Sequence, residues 1–290
     1  MKIKRICIVG LGLIGGSLAL ALRLAQRTAN PHFSLHITIV DTNPETRAAA
    51  ERLADVVTDD LAVGVQDVEL VILATPVRII LSCLQQLPAL RPDGCMVMDL
   101  GSSKANICQQ MDLLPNTFAA IGAHPMAGKE TAGFGAATVD MFRKQTFILC
   151  RTRRTTPELE AVGLELIEHV GANPLFIPPA LHDEMVALIS HLPYLVAASL
   201  MRTADDIEDD RLWPVSASGF RDTSRVSGTD PKMMLDILMT NREMVLKQVA
   251  AYQTWLTAVT ALLEAKDEDG LFAWLAETQQ AHRNYRNHKE

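Results

Sequence analysis

The sequence lacks the features that mark disulfide-stapled, nucleic-acid-binding or metal-binding proteins. Its five cysteines are scattered and form no Cys-x-x-Cys pair, so we expect reduced, buried thiols. Lysine and arginine total 27 against 34 acidic residues, a net charge of -7, and form no basic run. Nucleic acid is therefore not expected as a partner. No His/Cys/Asp/Glu group has metal-ligand spacing, so no metal is implied.

The sequence also lacks an uncharged apolar run of transmembrane length, so no membrane partner is expected. Met1–Val9 has a basic head and an apolar stretch, as signal peptides do, but glycines from Gly10 onward interrupt it. A cytoplasmic location is the default expectation. With 290 residues, 48% of them hydrophobic, the chain can bury a full core and is long enough for two domains.

The first half of the chain alternates short apolar runs rich in Val and Ile with helical stretches. Such runs are typical of parallel strands covered on both faces, and the alternation predicts an open, doubly wound α/β sheet. The predicted strands are Arg5–Val9, His36–Val40, Leu70–Ala74, Met96–Asp99, Phe118–Gly122, Thr146–Cys150 and Pro174–Ile177. The predicted helices are Gly15–Arg27, Pro44–Asp55, Arg78–Leu87 and Pro157–Val170.

The second half reads as almost wholly helical. Pro178-Pro179 breaks the chain, which predicts a dinucleotide-binding domain at 1–177 and an all-helical domain at 178–290. Asp183–Arg202 is amphipathic, and Asp230-Pro231 predicts the start of one long helix to Lys266. The apolar stripe of that helix exceeds what a small domain needs, which favours a homodimer interface over a core helix in a monomer.

A glycine-rich turn follows the first predicted strand. The residues Gly10-Leu11-Gly12-Leu13-Ile14-Gly15 fit Gly-x-Gly-x-x-Gly and open a helix, the context of a dinucleotide-binding fingerprint. Gly10 permits the tight turn, Gly12 lets the backbone approach a pyrophosphate, and Gly15 lets the helix pack closely on the strand. The phosphates would then lie at the positive end of the helix.

The end of the second strand favours NAD over NADP. Asp41 can accept hydrogen bonds from the adenosine ribose and repels a 2′-phosphate, and the next residues, Thr42-Asn43-Pro44, include no arginine. Asp41 also suits the cap region of the next helix, and the two roles are compatible. The residues expected to contact NAD are Gly10, Gly12, Leu13, Ile14, Gly15, Asp41, Thr75 and Pro76.

Two polar loops follow predicted strands farther along the chain. Gly101-Ser102-Ser103-Lys104 follows one strand, and His124-Pro125-Met126-Ala127-Gly128 follows the next. In a doubly wound fold both lie at the carboxyl edge of the sheet, where ligands bind. A loop histidine is more often structural than catalytic, but a position beside a nicotinamide favours catalysis for His124.

Five segments together resemble the prephenate/arogenate dehydrogenase family of tyrosine biosynthesis. They occur in the family's order and span nearly the whole chain. The most specific are His-Pro-Met-Ala-Gly and Gly-Phe-Arg-Asp-Thr-Ser-Arg. The five segments are Gly10–Ser17, Gly101–Lys104, His124–Gly128, Ser190–Pro193 and Gly219–Arg225.

The resemblance implies a Rossmann domain, a helical dimerisation domain and NAD-dependent oxidative decarboxylation of prephenate to 4-hydroxyphenylpyruvate. Hydride leaves the ring carbon that bears the hydroxyl, the ring carboxylate departs as carbon dioxide, and the protein removes the hydroxyl proton. His124 matches the proton acceptor, for which a neutral imidazole near its ordinary pKa is suitable, and Ser102 matches its hydrogen-bond partner. Arg225 matches an arginine that grips a substrate carboxylate, while His191 and Glu130 match further pocket residues.

One position departs from the family pattern. Many prephenate-specific members have His-Leu-Pro-His where this chain has His191-Leu192-Pro193-Tyr194. That last residue helps hold the substrate side chain, and a phenol carries no positive charge at neutral pH. Prephenate stays the favoured substrate and arogenate the alternative, with Tyr194 as a substrate contact.

Two rival functions are compatible with parts of the sequence. A β-hydroxyacid or 6-phosphogluconate-type dehydrogenase has the same plan, but it would place a catalytic lysine on the second-domain helix, where His191 lies. A non-catalytic NAD-binding module would not need His124, Ser102 and Arg225 together. His182-Asp183 is most simply a helix cap, with less weight given to a role in the site.

Overall fold

The computed structural model describes residues 3–28, 34–129, 131 and 133–288. The chain divides into two compact units, 1–242 and 243–290. The first contains the sheet and most of the helices, and the second contains two long helices. The domain boundary expected between 177 and 178 stays a prediction.

The first unit is built on an eight-stranded sheet with the order β3-β2-β1-β4-β5-β6-β7-β8. All neighbours pair in parallel except β6 and β7, which are antiparallel. The predicted doubly wound α/β sheet is therefore confirmed. The strands are β1 (Arg5–Val9), β2 (His36–Val40), β3 (Val56–Thr58), β4 (Leu70–Leu73), β5 (Met96–Asp99), β6 (Ala119–Pro125), β7 (Thr146–Arg151) and β8 (Asn173–Phe176).

Helices alternate with these strands, and past residue 178 the described chain is helical. The helices that alternate with strands are α1 (Leu13–Thr28), α2 (Pro44–Ala50), α3 (Leu61–Gly64), α4 (Val77–Leu90), α5 (Ala105–Asp112) and α6 (Pro157–His169). The later ones are α7 (Pro179–Val186), α8 (Leu192–Asp205), α9 (Leu212–Val215), α10 (Ser218–Ser224), α11 (Pro231–Thr240), α12 (Arg242–Ala265) and α13 (Glu268–Asn287). A π-helical turn, Ala187–His191, joins α7 to α8.

The core of the first unit lies on both faces of the sheet. Successive side chains of a strand point to opposite faces, so Ile6 and Ile8 of β1 lie in the cluster beside α1 and α6. Cys7 and Val9 lie in the cluster beside α4 and α5. Full burial of one such aliphatic side chain contributes about 1.5–3 kcal/mol. The continuous apolar runs of the sequence therefore correspond to strands that are buried on both faces.

All five cysteines are free, as expected. Burial raises the pKa of Cys95 to about 11, so this thiol stays protonated at neutral pH.

The helix predicted over Pro44–Asp55 is wrong in its C-terminal half. The helix ends at Ala50, and the chain then forms a short edge strand at Val56–Thr58 that the sequence did not indicate. The backbone N–H of Asp55 donates to the carbonyl of Ile37 at 2.8 Å, which fixes the start of this pairing. Pairing with β2 therefore overrides the local helical pattern.

The prediction of a single helix from Pro231 to Lys266 is also wrong, because the helix is interrupted at Asn241. That residue leaves the helical conformation with φ −119° and ψ 29°. Met234 and Ile237 on α11 are buried in the first unit, whereas Leu256 on α12 is exposed. The apolar stripe thus contributes partly to the core of the first unit and partly to an exposed helix.

The stretch Pro179–Asp205 is long and apolar enough, by length and composition alone, to cross a membrane. Core helices of soluble proteins meet the same criterion. Three polar residues of this stretch, His182, Asp183 and His191, are buried in the first unit.

Candidate active site

The residues predicted to bind cofactor or substrate follow one another along the carboxyl edge of the sheet in the spatial order of the strands. Asp41 follows β2, Gly10 follows β1, Thr75 lies just past β4, Ser102 lies past β5, and His124 is next to last in β6. Neighbouring strands lie about 4.8 Å apart, so the row spans four intervals, or roughly 19 Å. The row crosses the point between β1 and β4 where the strand order reverses, which is where doubly wound folds bind extended ligands.

The glycine loop has the close packing that its sequence predicts. Gly10 adopts a φ of +92°, and its N–H donates to the carbonyl of Val40 at 2.8 Å. A Cβ added to Gly15 would lie 2.0 Å from the Gly10 carbonyl oxygen, so any side chain there would force the loop open. A Cβ added to Gly12 would meet nothing within 4 Å. The loop therefore packs tightly on its helix side and is open at Gly12.

Asp41 is fixed by two backbone donors. Its Oδ2 accepts from the N–H of Leu11 at 2.7 Å, and its Oδ1 accepts from the N–H of Asn43 at 2.8 Å. The cap of α2 is Asn43, so Asp41 supports that cap from two residues away. Arg47 donates to the Asp41 carbonyl at 2.9 Å and pairs with Asp59 at 3.2 Å. This arginine lies farther along α2 than the residues Thr42-Asn43-Pro44, on which the predicted preference for NAD rests.

Thr75 carries a buried polar atom at the carboxyl edge of the sheet. Its hydroxyl Oγ1 makes no hydrogen bond to any residue that the structure describes. Its methyl group faces Gly10, since a Cβ added to that glycine would lie 2.6 Å from Thr75 Cγ2. A buried hydroxyl without a partner costs about 1–3 kcal/mol, so this position fits a bound group that supplies one.

His124 takes part in a chain of hydrogen bonds that runs into the helical part of the first unit. The ring of His124 is half-buried, and its Nδ1 lies 2.9 Å from Nε2 of His182 on α7. The Nδ1 of His182 lies 2.7 Å from Oδ1 of Asp183. Burial, and then the positive charge that His182 would carry, hold the pKa of His124 well below its ordinary 6.5. The ordinary pKa expected from the sequence is therefore wrong, because the ring is partly removed from water and lies beside a second imidazole.

Asp183 is a helix cap, but for a distant helix. Its Oδ1 accepts from the N–H of Lys104 at 2.6 Å, and its Oδ2 accepts from the N–H of Ala105 at 2.9 Å, at the start of α5. The sequence indicated that His182-Asp183 opens its own helix, but α7 begins four residues earlier, at Pro179. The cap therefore fastens the loop after β5 to α7.

A buried ion pair also fixes the position of the loop after β5. Lys104 Nζ contacts Asp99 Oδ2, and both side chains are fully buried. Asp99 also accepts from the N–H of Gly101 at 2.8 Å and of Ala123 at 3.2 Å. Because these donors come from the ends of β5 and β6, the pair fixes the loop of Ser102 relative to the strand of His124.

His191 belongs to the same buried network. Its Nδ1 accepts from Nδ2 of Asn241 at 3.3 Å, and that amide also donates to the carbonyl of Asp183 at 2.7 Å. Burial lowers the pKa of His191 to about 4. His191 is the last residue of the π-helical turn that joins α7 to α8.

The other predicted site residues are Ser102, Tyr194, Arg225 and Glu130. Ser102 is half-buried and makes no hydrogen bond to a described residue, so its pairing with His124 stays a prediction. Tyr194 is half-buried in the first turn of α8. Arg225 is exposed and begins a 3₁₀ turn, Arg225–Gly228, that packs against α8. Glu130 lies outside the described residues.

Comparison with known sequence families identifies the family to which the chain belongs. The prephenate dehydrogenase nucleotide-binding domain matches residues 24–175, and the prephenate dehydrogenase dimerization domain matches residues 178–277. The chain belongs to the prephenate dehydrogenase family. The resemblance inferred from the five motifs is thereby confirmed, as is the plan of a nucleotide-binding α/β domain followed by a helical one.

Relatives within the family match nearly the whole chain. The prephenate dehydrogenase of Bacillus subtilis is 31% identical over 93% of this chain and 72% of its own length. The structure of prephenate dehydrogenase from Aquifex aeolicus with hydroxyphenyl propionate and NAD+ superposes with a TM-score of 0.88 at 27% identity, covering 98% of this chain and 99% of that one. Synechocystis arogenate dehydrogenase gives 0.79 at 32% identity, covering 97% and 99%.

Sequence reasoning predicted no site role for Asn241 or for the buried Lys104, and for His182 and Asp183 it favoured a helix cap over a role in the site. The one local signal was a pair of adjacent polar residues inside an otherwise apolar helix, which fits burial with partners as well as it fits a cap.

We expect His191 to make the fold of this family member sensitive to acid. Its folded-state pKa of about 4 lies below the unfolded value of 6.5, so the unfolded chain takes up the proton first. The contribution is present above pH 6.5 and is lost as the pH falls towards 4, to the extent of about 3 kcal/mol. Urea unfolding at pH 7 and pH 4 measures this loss.

His191→Asn keeps an acceptor for Asn241 but does not titrate, so its free energy of unfolding falls by about 3 kcal/mol less over that range. His282→Asn, at an exposed position on α13, is the control and should match the unaltered protein. Equal losses in all three proteins would contradict this expectation.

Proposed function

We propose that this chain is an NAD-dependent prephenate dehydrogenase that converts prephenate to 4-hydroxyphenylpyruvate with loss of carbon dioxide. The observation that carries the proposal is the row of groups at the carboxyl edge of the sheet, which begins at Asp41 and ends at His124. A dinucleotide laid along this row would have its adenosine at β2 and its nicotinamide near β4 and β5, so a substrate at β6 would face both the nicotinamide and the imidazole. A cytoplasmic location is part of the same proposal.

The residues at this edge fit NAD. Gly12 leaves open space where a pyrophosphate would approach the start of α1, while Gly10 and Gly15 keep the loop tight. The Asp41 carboxylate lies at the ribose position, and the unpartnered hydroxyl of Thr75 is available to the nicotinamide half. Leu13, Ile14 and Pro76 complete the proposed contacts.

The chemistry requires few groups from the protein. NAD, when bound, accepts the hydride from the ring carbon that bears the hydroxyl. His124 takes the hydroxyl proton, for which its low pKa keeps the imidazole neutral and ready at physiological pH. Ser102 is proposed to orient the same hydroxyl, and Arg225 to bind a substrate carboxylate with its planar fork. His191 and Glu130 are proposed as further pocket residues.

Arogenate is the second candidate substrate. Tyr194 stands where many prephenate-specific members have histidine, and the arogenate dehydrogenase of Synechocystis is 32% identical to this chain. A phenol offers one hydrogen bond and no charge, which discriminates weakly between a pyruvyl and an alanyl side chain. Side-by-side kcat/KM values for the two substrates, each with NAD and NADP, test the proposal, and no turnover of either substrate would refute it.

We expect His124→Asn to lose about 10²–10⁴-fold in kcat with little change in KM, because the asparagine cannot take the proton and the loss occurs in the transition state. In the unaltered enzyme kcat/KM should fall at acid pH in one step, well below pH 6.5, with the ionisation of His124. Near-normal kcat in His124→Asn would make the histidine structural.

Arg225→Ala should show the opposite pattern. It removes a contact that is present in the ground state, so the KM for prephenate rises strongly while kcat changes less. Arg221→Ala, one helical turn earlier, removes an exposed arginine paired with Asp222 and is the matched control.

The preference for NAD should depend on the charge of Asp41. Asp41→Asn keeps the shape but removes the repulsion of a 2′-phosphate, which is about 1–4 kcal/mol for charges about 4 Å apart in surroundings between water and protein surface. The ratio of kcat/KM for NAD to that for NADP should therefore fall roughly tenfold or more. Asp93→Asn, at an exposed position in the turn before β5 and so at the opposite edge of the sheet, is the control. Better efficiency with NADP in the unaltered enzyme would contradict the proposed cofactor.

We also propose a homodimer built by the helical domain. In the second unit, no described residue of α12 or α13 is buried except Val245. Large apolar side chains there are exposed, with Trp255 at 61% and Phe272 at 74%. Monomers rarely leave such surfaces in contact with water, and the family's own description of this region is a dimerization domain.

Light scattering should therefore give about twice the 31.8 kDa of the chain at micromolar concentration. Phe272→Asp places a charge among the exposed apolar side chains and should shift the equilibrium towards monomer. Glu277→Gln, at an exposed position on the same helix, should not. A monomeric unaltered protein would refute the dimer.

A further inference from the structure

Two buried residues outside the predicted site, His182 and Asp183, are in direct line with His124. Asp183 Oδ1 lies 2.7 Å from His182 Nδ1, and His182 Nε2 lies 2.9 Å from His124 Nδ1. His182 is fully buried, and Asp183 is 3% exposed. Neither side chain reaches the carboxyl edge as a second base, so their effect on catalysis passes through His124.

The direction of the hydrogen bonds follows from the acceptors. Asp183 already accepts from the N–H groups of Lys104 and Ala105, so both of its oxygens act as acceptors. A carboxylate has no proton to donate, so His182 carries its proton on Nδ1 and donates it to Asp183. Burial keeps the pKa of His182 below 6.5, so the ring is neutral near pH 7 and its Nε2 is an acceptor.

The only proton available for the next bond belongs to His124. With His182 Nε2 as acceptor, His124 must carry its proton on Nδ1, and its Nε2 is then left with a free lone pair. The opposite arrangement needs a second proton on His182, which its burial disfavours. Free imidazole populates both tautomers, whereas this chain of bonds selects the one in which Nε2 is basic.

We propose that His182 and Asp183 are positioning residues that hold His124 in its Nδ1–H tautomer, so that Nε2 is the atom that accepts the substrate proton. This inference rests on the proposed function only for its catalytic consequence. The tautomer itself is a property of the ligand-free protein. Asp183 determines which nitrogen of His182 carries the proton, and His182 does the same for His124. Residues of α7 thereby determine the tautomer of the base on β6.

The tautomer is measured directly by ¹⁵N NMR of histidine-labelled, ligand-free protein near pH 7.5. The signals of His124 are identified as those lost in His124→Asn. The expected spectrum shows His124 protonated on Nδ1 and unprotonated on Nε2. A proton on Nε2 would overturn the proposal, even in a fully active enzyme, and the Nδ1–H form would support it even if neither prephenate nor arogenate proved to be the substrate.

Two variants of similar size separate a tautomer role from a packing role. His182→Gln places an amide oxygen where Nε2 was and still accepts from His124, whereas His182→Met fills the space without an acceptor. We expect kcat to fall roughly tenfold in His182→Gln and roughly a hundredfold or more in His182→Met, with KM for both substrates within about threefold of normal. Equal losses in the two variants, a rise in KM, or unaltered kcat in His182→Met would each overturn the proposal.

Asp183→Asn tests the first link of the chain. The amide can donate to His182 Nδ1, which would reverse both bonds and move the His124 proton to Nε2. Where a His–Asp pair holds a base in another enzyme class, the same change costs about 10⁴-fold through the wrong tautomer. We expect at least a hundredfold loss of kcat here and an Nε2–H signal for His124, and an unchanged His124 spectrum would contradict the proposal. His36→Gln, at the amino edge of β2 and so at the opposite edge of the sheet, is the control for activity and spectrum.

Discussion

The geometry of the site depends on the carboxylate of Asp183. One side chain accepts from two backbone N–H groups at the start of α5 and from the ring of His182, so it joins the loop after β5 to α7. The first N–H groups of a helix have no partner within it, and the helix dipole favours a negative charge there. Losing the carboxylate would leave three donors unpaired, and each of the two buried ones would cost about 1–3 kcal/mol. The contact that holds these elements together is therefore the one that orients the imidazoles.

The buried pair of Asp99 and Lys104 constrains the same loop from the side of the sheet. Its net contribution to stability is small, because the cost of taking two charges out of water offsets most of their attraction. The pair also fixes the positions of two strand ends. Asp99 accepts from the backbone of Gly101 and Ala123, so the ends of β5 and β6 keep a fixed separation. A proton acceptor on one strand and a polar loop on the next then face a single ligand position.

Features that depend on a local sequence pattern could be predicted from the sequence, whereas contacts between residues far apart in the chain could not. Seven of the eight strands follow from apolar runs, and the glycine loop follows from a six-residue pattern, so their positions are predicted to within a few residues. His124 and His182 are 58 residues apart, and Asp183 and Lys104 are 79 apart. No local periodicity records such pairs. The break at Asn241 was missed for the same reason, since the buried carbonyl of Asp183 that its amide reaches lies 58 residues away.

Burial and the relay through His182 impose separate constraints on His124. Burial sets the charge of the ring, because an imidazolium is costly away from water. Burial alone leaves the two neutral tautomers nearly equivalent, and only one of them offers a lone pair at Nε2. A chain of acceptors that starts at a carboxylate removes that ambiguity without adding a charge next to the base. The Rossmann-type sheet supplies the cofactor edge in many unrelated enzymes, so the chemistry of this chain is set where α7 meets the end of β6.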